Sequence, residues 1–352
     1  MPFTQGDRTA MSNHPQRQDF QRLLTAPPEA LAANATRREC LAGRPDFARP
    51  VARNGYVWWY VDAMSDDGRH SLTLILFIGS VFSPYYARAR RRGLGDPEQH
   101  CAVNAILYGA GGKRWTMTER GGRHLQRDRD RLRIGPSVAS WQGDALIVDI
   151  DEWTVPVPRR SRGRIRVHPG AITDHACLLA DDHGHCWWPI APCARVEVDF
   201  ERPALRWRGH GYLDSNSGDR PLEQDFQRWT WSRSSDREET RIDYDVSLSN
   251  GGQRRHAVGF DRLHGIASPR RPPEMRALAT TGWRVHRSVA CDAQARPRVI
   301  ETLEDTPFYA RSLVETTLAG RQRQAFHESL SLDRFAHPLV QVLLPFRMPR
   351  RS

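Results

Sequence analysis

Long apolar runs are missing from this sequence. The densest, Leu72 to Phe82, is broken by Thr73, Gly79 and Ser80 and is too short to span a bilayer as a helix. Lysine is nearly absent: Lys113 is the only one, so arginine carries almost all of the positive charge. No Gly-x-Gly-x-x-Gly, phosphate-binding loop or Gly-x-Ser-x-Gly in a strand-turn-helix context occurs, which removes support for nicotinamide, nucleotide triphosphate and acyl-enzyme chemistry. Helical heptads are missing as well. Cysteine is sparse, with six at positions 40, 101, 177, 186, 193 and 291, and these read as free thiols rather than a disulfide framework. His183, His185, Cys186 and Cys193 offer zinc-type ligands, but no Cys-x-x-Cys pair is present and a proline-containing stretch separates the two cysteines. That segment reads as a turn between strands, and no metal is expected. Met1 to Arg22 lacks the charged start, apolar stretch and cleavage site of a signal peptide, so a cytoplasmic address is the expectation.

What is present points to β-structure. The chain has 352 residues, a formal charge of +11 and a mean hydropathy of −0.64. From Gly55 onward, short apolar or alternating runs are divided by Gly, Pro, Asn and Asp. Strands are expected at Tyr56 to Ala63, Ser71 to Val81, Ala102 to Tyr108, Ala145 to Trp153, Ala194 to Phe200, Ile242 to Leu248 and Gln324 to Leu332, with hairpin turns at Asp66-Asp67-Gly68 and Ser249 to Gly252. Many strands without intervening helices favour an all-β chain of antiparallel sandwiches or barrels. The length suits two domains, and the polar turn Asn216 to Pro221 is a natural boundary. The expected organisation is a leader at 1–45, an N-terminal domain at 46–217 and a C-terminal domain at 218–352. Arginine clusters such as Arg88 to Arg92 and Arg347 to Arg351 are dispersed and accompany no nucleic-acid fold motif, so no nucleic-acid partner is expected. Ser80 to Tyr86 followed by Arg88 to Arg92 combines aromatics with cations, as membrane-interface segments do and as an ordinary strand and loop also can.

The chemistry concentrates between Trp207 and Val246. Asp243 and Asp245 share one face of a regular strand, about 7 Å apart at their α-carbons, with Tyr244 on the other. They are either acids turned to water or a carboxyl pair turned into a lumen or cleft. Trp229 and Trp231 also share a face and serve as core, as the wall of a cavity, or as both. His210, between two glycines and followed by Tyr212 and Asp214, is an acid, a hydrogen-bond relay, a ligand or a turn residue satisfied by the backbone. Tyr56 to Tyr60 and Trp187-Trp188 read as core. A buried carboxylic acid stays protonated near neutral pH, and indole or phenol faces attract a positive centre. Together these suit the generation and shielding of a carbocation.

The segment Arg208 to Asn216, with Trp229 to Arg233 and Arg241 to Val246, resembles the central signature of the carotenoid 1,2-hydratases, also called hydroxyneurosporene synthases. Further similar strings are Gly55 to Ala63, Phe77 to Tyr86, Trp187 to Pro192, Leu303 to Arg311, His327 to Phe335 and Leu344 to Arg350, covering residues 50 to 350 in order. The resemblance implies two lipocalin-like antiparallel β-barrel domains in tandem and a cofactor-independent addition of water to the terminal C1–C2 double bond of acyclic carotenoids. Neurosporene, lycopene and their derivatives are the expected substrates, in phototrophic bacteria making spheroidene or spirilloxanthin. It also implies peripheral attachment to the inner, photosynthetic membrane and contact with other enzymes of the pathway. On this reading Asp245 is the acid and Asp243 its partner or base; Trp229, Trp231 and Tyr244 shield the cation, and His210 orders water. The competing reading is a non-catalytic lipocalin-like carrier of carotenoid or lipid.

Overall fold

The computed structural model describes residues 45–180 and 184–351. The leader expected at 1–45, apart from Pro45 itself, and His183 of the candidate zinc ligands lie outside the described residues. Two large curled sheets dominate. The first contains β1 (Tyr56–Ser65), β2 (Ser71–Ile78), β3 (Cys101–Tyr108), β4 (Arg114–Arg120), β5 (Leu125–Arg127), β6 (Arg131–Ile134) and β7 (Ser137–Gln142). It continues through β8 (Ala145–Trp153), β9 (Arg160–Pro169), β10 (Cys177–Leu178), β11 (His185–Arg202) and β12 (Leu205–Gly218). The second contains β13 (Phe226–Ser235), β14 (Glu239–Leu248), β15 (Gln253–Asp261) and β16 (Ala267–Pro269). A two-stranded ribbon, β17 (Met275–Leu278) with β18 (Arg287–Ala290), precedes its last strands, β19 (Arg298–Asp305), β20 (Tyr309–Leu318) and β21 (Arg321–Ser331). The short β22 (Arg350–Arg351) returns to the first sheet and pairs parallel with β4.

The strand runs and both hairpin turns expected from the sequence form, and the pairing is antiparallel except at β22. The sheets change over between Gly218 and Phe226, across Asp219 to Pro221 and the one-turn helix α2 (Leu222–Asp225), while Asn216 to Gly218 of the expected turn form the end of β12; the earlier α1 (Pro84–Arg91) follows β2. Two expectations need correction. The Cys186 to Cys193 stretch is no turn: it lies within the long strand β11. Ser80 to Tyr86 is not an ordinary strand and loop either, because α1 starts there, Ser83 caps it, and Tyr86 is buried with its hydroxyl donating to the Gly55 carbonyl. No described helix is long and apolar enough to cross a membrane.

Alternation explains where the site falls. Val57, Trp59, Val61 and Ala63 of β1 enter the core of the first sheet, whereas Tyr56, Trp58 and Tyr60 on its other face join a second core shared with β13, β14 and β21. A strand buried on both faces reads as a continuous apolar run, which is why Tyr56 to Ala63 looks featureless in sequence. The glycines around His210 serve this close packing. A Cβ on Gly209 would stand 1.9 Å from the Met64 carbonyl oxygen, and one on Gly211 would stand 2.8 Å from that of Asp62. Gly209→Ala is therefore expected to cost about 1–3 kcal/mol of stability by overpacking the β1–β12 seam, read as a lower urea midpoint at unchanged slope.

Candidate active site

Two neighbouring strands supply a square of tyrosines and aspartates. In the β1–β12 register Tyr60 stands opposite Asp214 and Asp62 opposite Tyr212, so all four project from the same face. The second sheet covers them. There Trp231 is directly opposite both Tyr244 and Glu328, Glu328 is opposite Arg311, and Trp229 lies one step along the same face. Tyr60 meets Trp231 edge to face at 5.6 Å between ring centroids, and Trp187 meets Tyr244 likewise at 5.3 Å.

Asp214 and Asp62 sit in opposite electrostatic settings. Asp62 forms ion pairs with Arg233 at 2.6 Å and Arg311 at 3.2 Å, all three side chains being buried. Arg311 also pairs with Glu328, whose Oε1 accepts a hydrogen bond from the Tyr60 hydroxyl at 3.0 Å. Two guanidinium groups thus meet two carboxylates. Removing one member of such a buried set costs about 3–5 kcal/mol because the remaining charge is stranded. Asp214, by contrast, is hydrogen-bonded only by neutral donors: its Oδ2 accepts from Tyr212 at 2.8 Å and from the Trp187 indole at 3.0 Å. Its Oδ1 is buried and unpartnered. Desolvation lifts the carboxyl's pKa to about 8; the two hydrogen bonds oppose that rise, and the charges of Glu328 and Asp62 add to it. Burial likewise raises the phenols of Tyr60, Tyr212 and Tyr244 well above their ordinary value, so they remain donors.

Asp214 borders a recess of about 40 Å³ that it shares with Asn216, Trp58, Tyr60, Trp229, Trp231, Tyr244 and Glu328. A single water needs roughly 10–15 Å³. Four of these residues, Trp58, Tyr60, Trp229 and Glu328, also line an apolar cavity of about 160 Å³ that runs past Phe77, Phe82, Trp115 and Phe308 to Leu344 and Met348. A dry cavity of about 150 Å³ holds one benzene, so this one takes the end of a hydrocarbon chain and not a long chain entire. The arrangement can deliver a proton to an apolar group and surround the resulting positive charge with ring faces.

Among the residues singled out in the sequence, Trp229, Trp231 and Tyr244 are brought together on this recess. Asp243 and Asp245 are not. Because they alternate with Tyr244 on β14, they occupy the opposite face, Asp243 held by both arms of Arg241 at 3.0 Å and Asp245 by Arg255 at 2.6 Å. His210 lies on the Asp214 face of β12 but two alternations away, and it borders neither cavity; desolvation first, then Arg233 and Arg262, lowers its pKa. Asp214, Glu328, Asp62, Arg311 and Trp187 are the members that the sequence reading did not single out. The signal for Asp214 is parity: Tyr60-Val61-Asp62 and Tyr212-Leu213-Asp214 each put phenol and carboxyl on one face, whereas Asp243-Tyr244-Asp245 separates them. No group of three or more metal-type ligands converges among the described residues.

The same chain matches a family model described as "Carotenoid hydratase CrtC" over residues 74–352. It is 56% identical over 307 residues to the acyclic carotenoid 1,2-hydratase of Thiocapsa roseopersicina, covering 87% of this chain and 76% of that one. Identity to the protein of the same name from Rubrivivax gelatinosus is 48%, over 88% of this chain and 77% of that one. For the Rhodobacter capsulatus protein it is 39%, over 79% and 98%. Among solved structures, one from Nitrosomonas europaea, provisionally described as AttH, superposes with a TM-score of 0.54 at 11% identity, over 78% of this chain and 92% of that chain, which speaks to the fold alone. With most of its length matched by the family model and by relatives of this similarity, the chain belongs to the carotenoid hydratase family.

Proposed function

We propose that this protein hydrates the terminal C1–C2 double bond of acyclic carotenoids, with Asp214 as the acid. The supporting observation is the Asp214 carboxyl itself: buried, raised to about 8, with one oxygen unpartnered, and bordering an aromatic recess that shares four lining residues with an apolar cavity. The chain end enters the larger cavity and brings its alkene to the recess. Asp214 transfers its proton to C2, leaving a tertiary cation at C1 beside the rings of Trp58, Trp229, Trp231 and Tyr244. A water oriented by Glu328 bonds to C1, and its surplus proton returns to Asp214, restoring the acid. No cofactor enters this balance. A simple carrier would gain nothing from the energetic burden of an unpartnered buried carboxyl, which favours catalysis over transport.

Three extensions belong to this proposal. The changeover of sheets between Gly218 and Phe226 supports reading each as a lipocalin-like barrel divided at 217/218. A substrate confined to lipid supports work at the cytoplasmic surface of the membrane. Contact with other enzymes of the pathway would follow from sharing that surface.

Asp214→Asn should abolish water addition to lycopene, measured by mass in a cofactor-free liposome assay, while carotenoid binding persists. Asp245→Asn, altering a carboxylate on the face of β14 opposite the recess, should keep at least half of the activity. Since the acid must carry its proton, kcat/KM should be flat below the raised pKa and fall about tenfold per pH unit above about 8. Stability follows the same group. An unfolded aspartate releases its proton near its ordinary value of 3.8, whereas the folded one holds it to about 8. The group's contribution is thus fully present below the lower value and is lost as pH rises through the upper one. Melting curves should show Asp214→Asn gaining on the wild type between these limits and no further above them.

A further inference from the structure

Four large apolar side chains near the C-terminus face outward: Leu339, Val342, Leu343 and Phe346 are 63%, 66%, 39% and 71% exposed. They lie on the helix α4 (Pro338–Leu343), which follows α3 (Leu332–Ala336), and on the 3-10 turn Leu344–Phe346. Their spacing is i, i+3, i+4 and i+7, so they form one stripe. Val340, Leu344 and Met348 of this segment line the apolar cavity, and Leu343 reaches it from the edge of the stripe. A segment this short and apolar on both sides has its inner face accounted for by the cavity. On its outer face, Leu339, Val342 and Phe346 border no part of the cavity and remain exposed.

The chemistry around the stripe is cationic and aromatic. Residues 334–352 contain four arginines and no acid. Arg350 is committed to Glu119, but Arg351 is exposed, as are Arg91 and Arg92 at the end of α1; Arg91 and Gln341 of α4 border a common hollow. Arg334 donates to the carbonyl of Trp283, an indole that is itself half exposed. Apolar stripe, flanking cations and a neighbouring tryptophan are what an interfacial segment uses on an anionic leaflet, with the apolar face buried about 5–10 Å. The cavity supplies the second argument. It takes only the end of a long hydrocarbon, so the remainder must extend outside a cavity whose wall includes α4, and water is a poor solvent for it.

We propose that the Leu339–Phe346 stripe docks into an anionic lipid bilayer and sets this wall of the cavity against the hydrocarbon. The substrate end then passes from membrane to cavity without crossing water, while the rest of the chain stays in lipid. The docking surface stands on its own observations; the identity of what passes through it rests on the hydratase reading above.

The test uses the full chain, wild type and Val342→Glu/Phe346→Glu, two positions that do not border the cavity. Flotation is measured with phosphatidylcholine vesicles containing about one third phosphatidylglycerol, and hydration with lycopene supplied either in those vesicles or in detergent micelles. The wild type should float, and the variant should lose at least tenfold in both vesicle binding and vesicle-supplied hydration while keeping its micellar rate. Equal flotation of the two proteins would overturn the proposal, as would a wild type that stays with neither vesicle and instead dimerises through this stripe by light scattering. Absence of micellar hydration in both proteins, with the wild type floating and the variant not, would sink the hydratase reading and leave the docking surface standing.

Discussion

The neutrality of one buried carboxyl is the constraint on which the rest of this site depends. Arginine is abundant in this chain, and a single guanidinium on Asp214 would ionise it and end its use as a proton donor. The fold prevents this by pairing the arginines of the buried cluster with other acids: Arg233 and Arg311 are held by Asp62 and Glu328, leaving Asp214 only the phenol of Tyr212 and the indole of Trp187. The residual fields of Glu328 and Asp62 then work in the same direction as desolvation. Arginine-paired and arginine-free carboxyls one alternation apart on adjoining strands divide the labour, as paired acids do in other enzymes where environment alone separates their roles.

This separation requires two sheets with both faces of β1 buried. Its odd positions build the core of the first sheet and its even positions carry Trp58, Tyr60 and Asp62 to the second. Antiparallel register does the rest, because directly opposed residues share a face. The returning C-terminal segment, anchored by β22 on β4 and by Arg350 on Glu119, lines the cavity with residues distant in sequence from the acid.

Much of the fold is legible along the chain because alternation and turn residues act locally. Tyr56 to Ala63, Ala145 to Trp153 and Asp66-Asp67-Gly68 are where their composition puts them. The aromatic members Trp229, Trp231 and Tyr244 are legible as a class for the same reason. The acid is not, since which face of β14 or β12 turns inward is decided by the partner sheet, a long-range fact that spacing does not encode. The pair Asp243 and Asp245 draws the eye as two carboxyls on one face, yet that face belongs to Arg241 and Arg255. Glu328 and Arg311 are invisible at this level, being separated from Tyr60 by more than 250 residues. The α1 helix after Ser83 escapes too, because an aromatic and arginine-rich string contains no strong helix periodicity.

The protonation state of Asp214 can be observed directly by infrared difference spectroscopy of wild type against Asp214→Asn across the pH range. The account predicts a protonated carboxyl band, absent from the variant, that persists at pH 7 and disappears through about 8 together with activity. A band already lost at pH 7 in a fully active protein would contradict it.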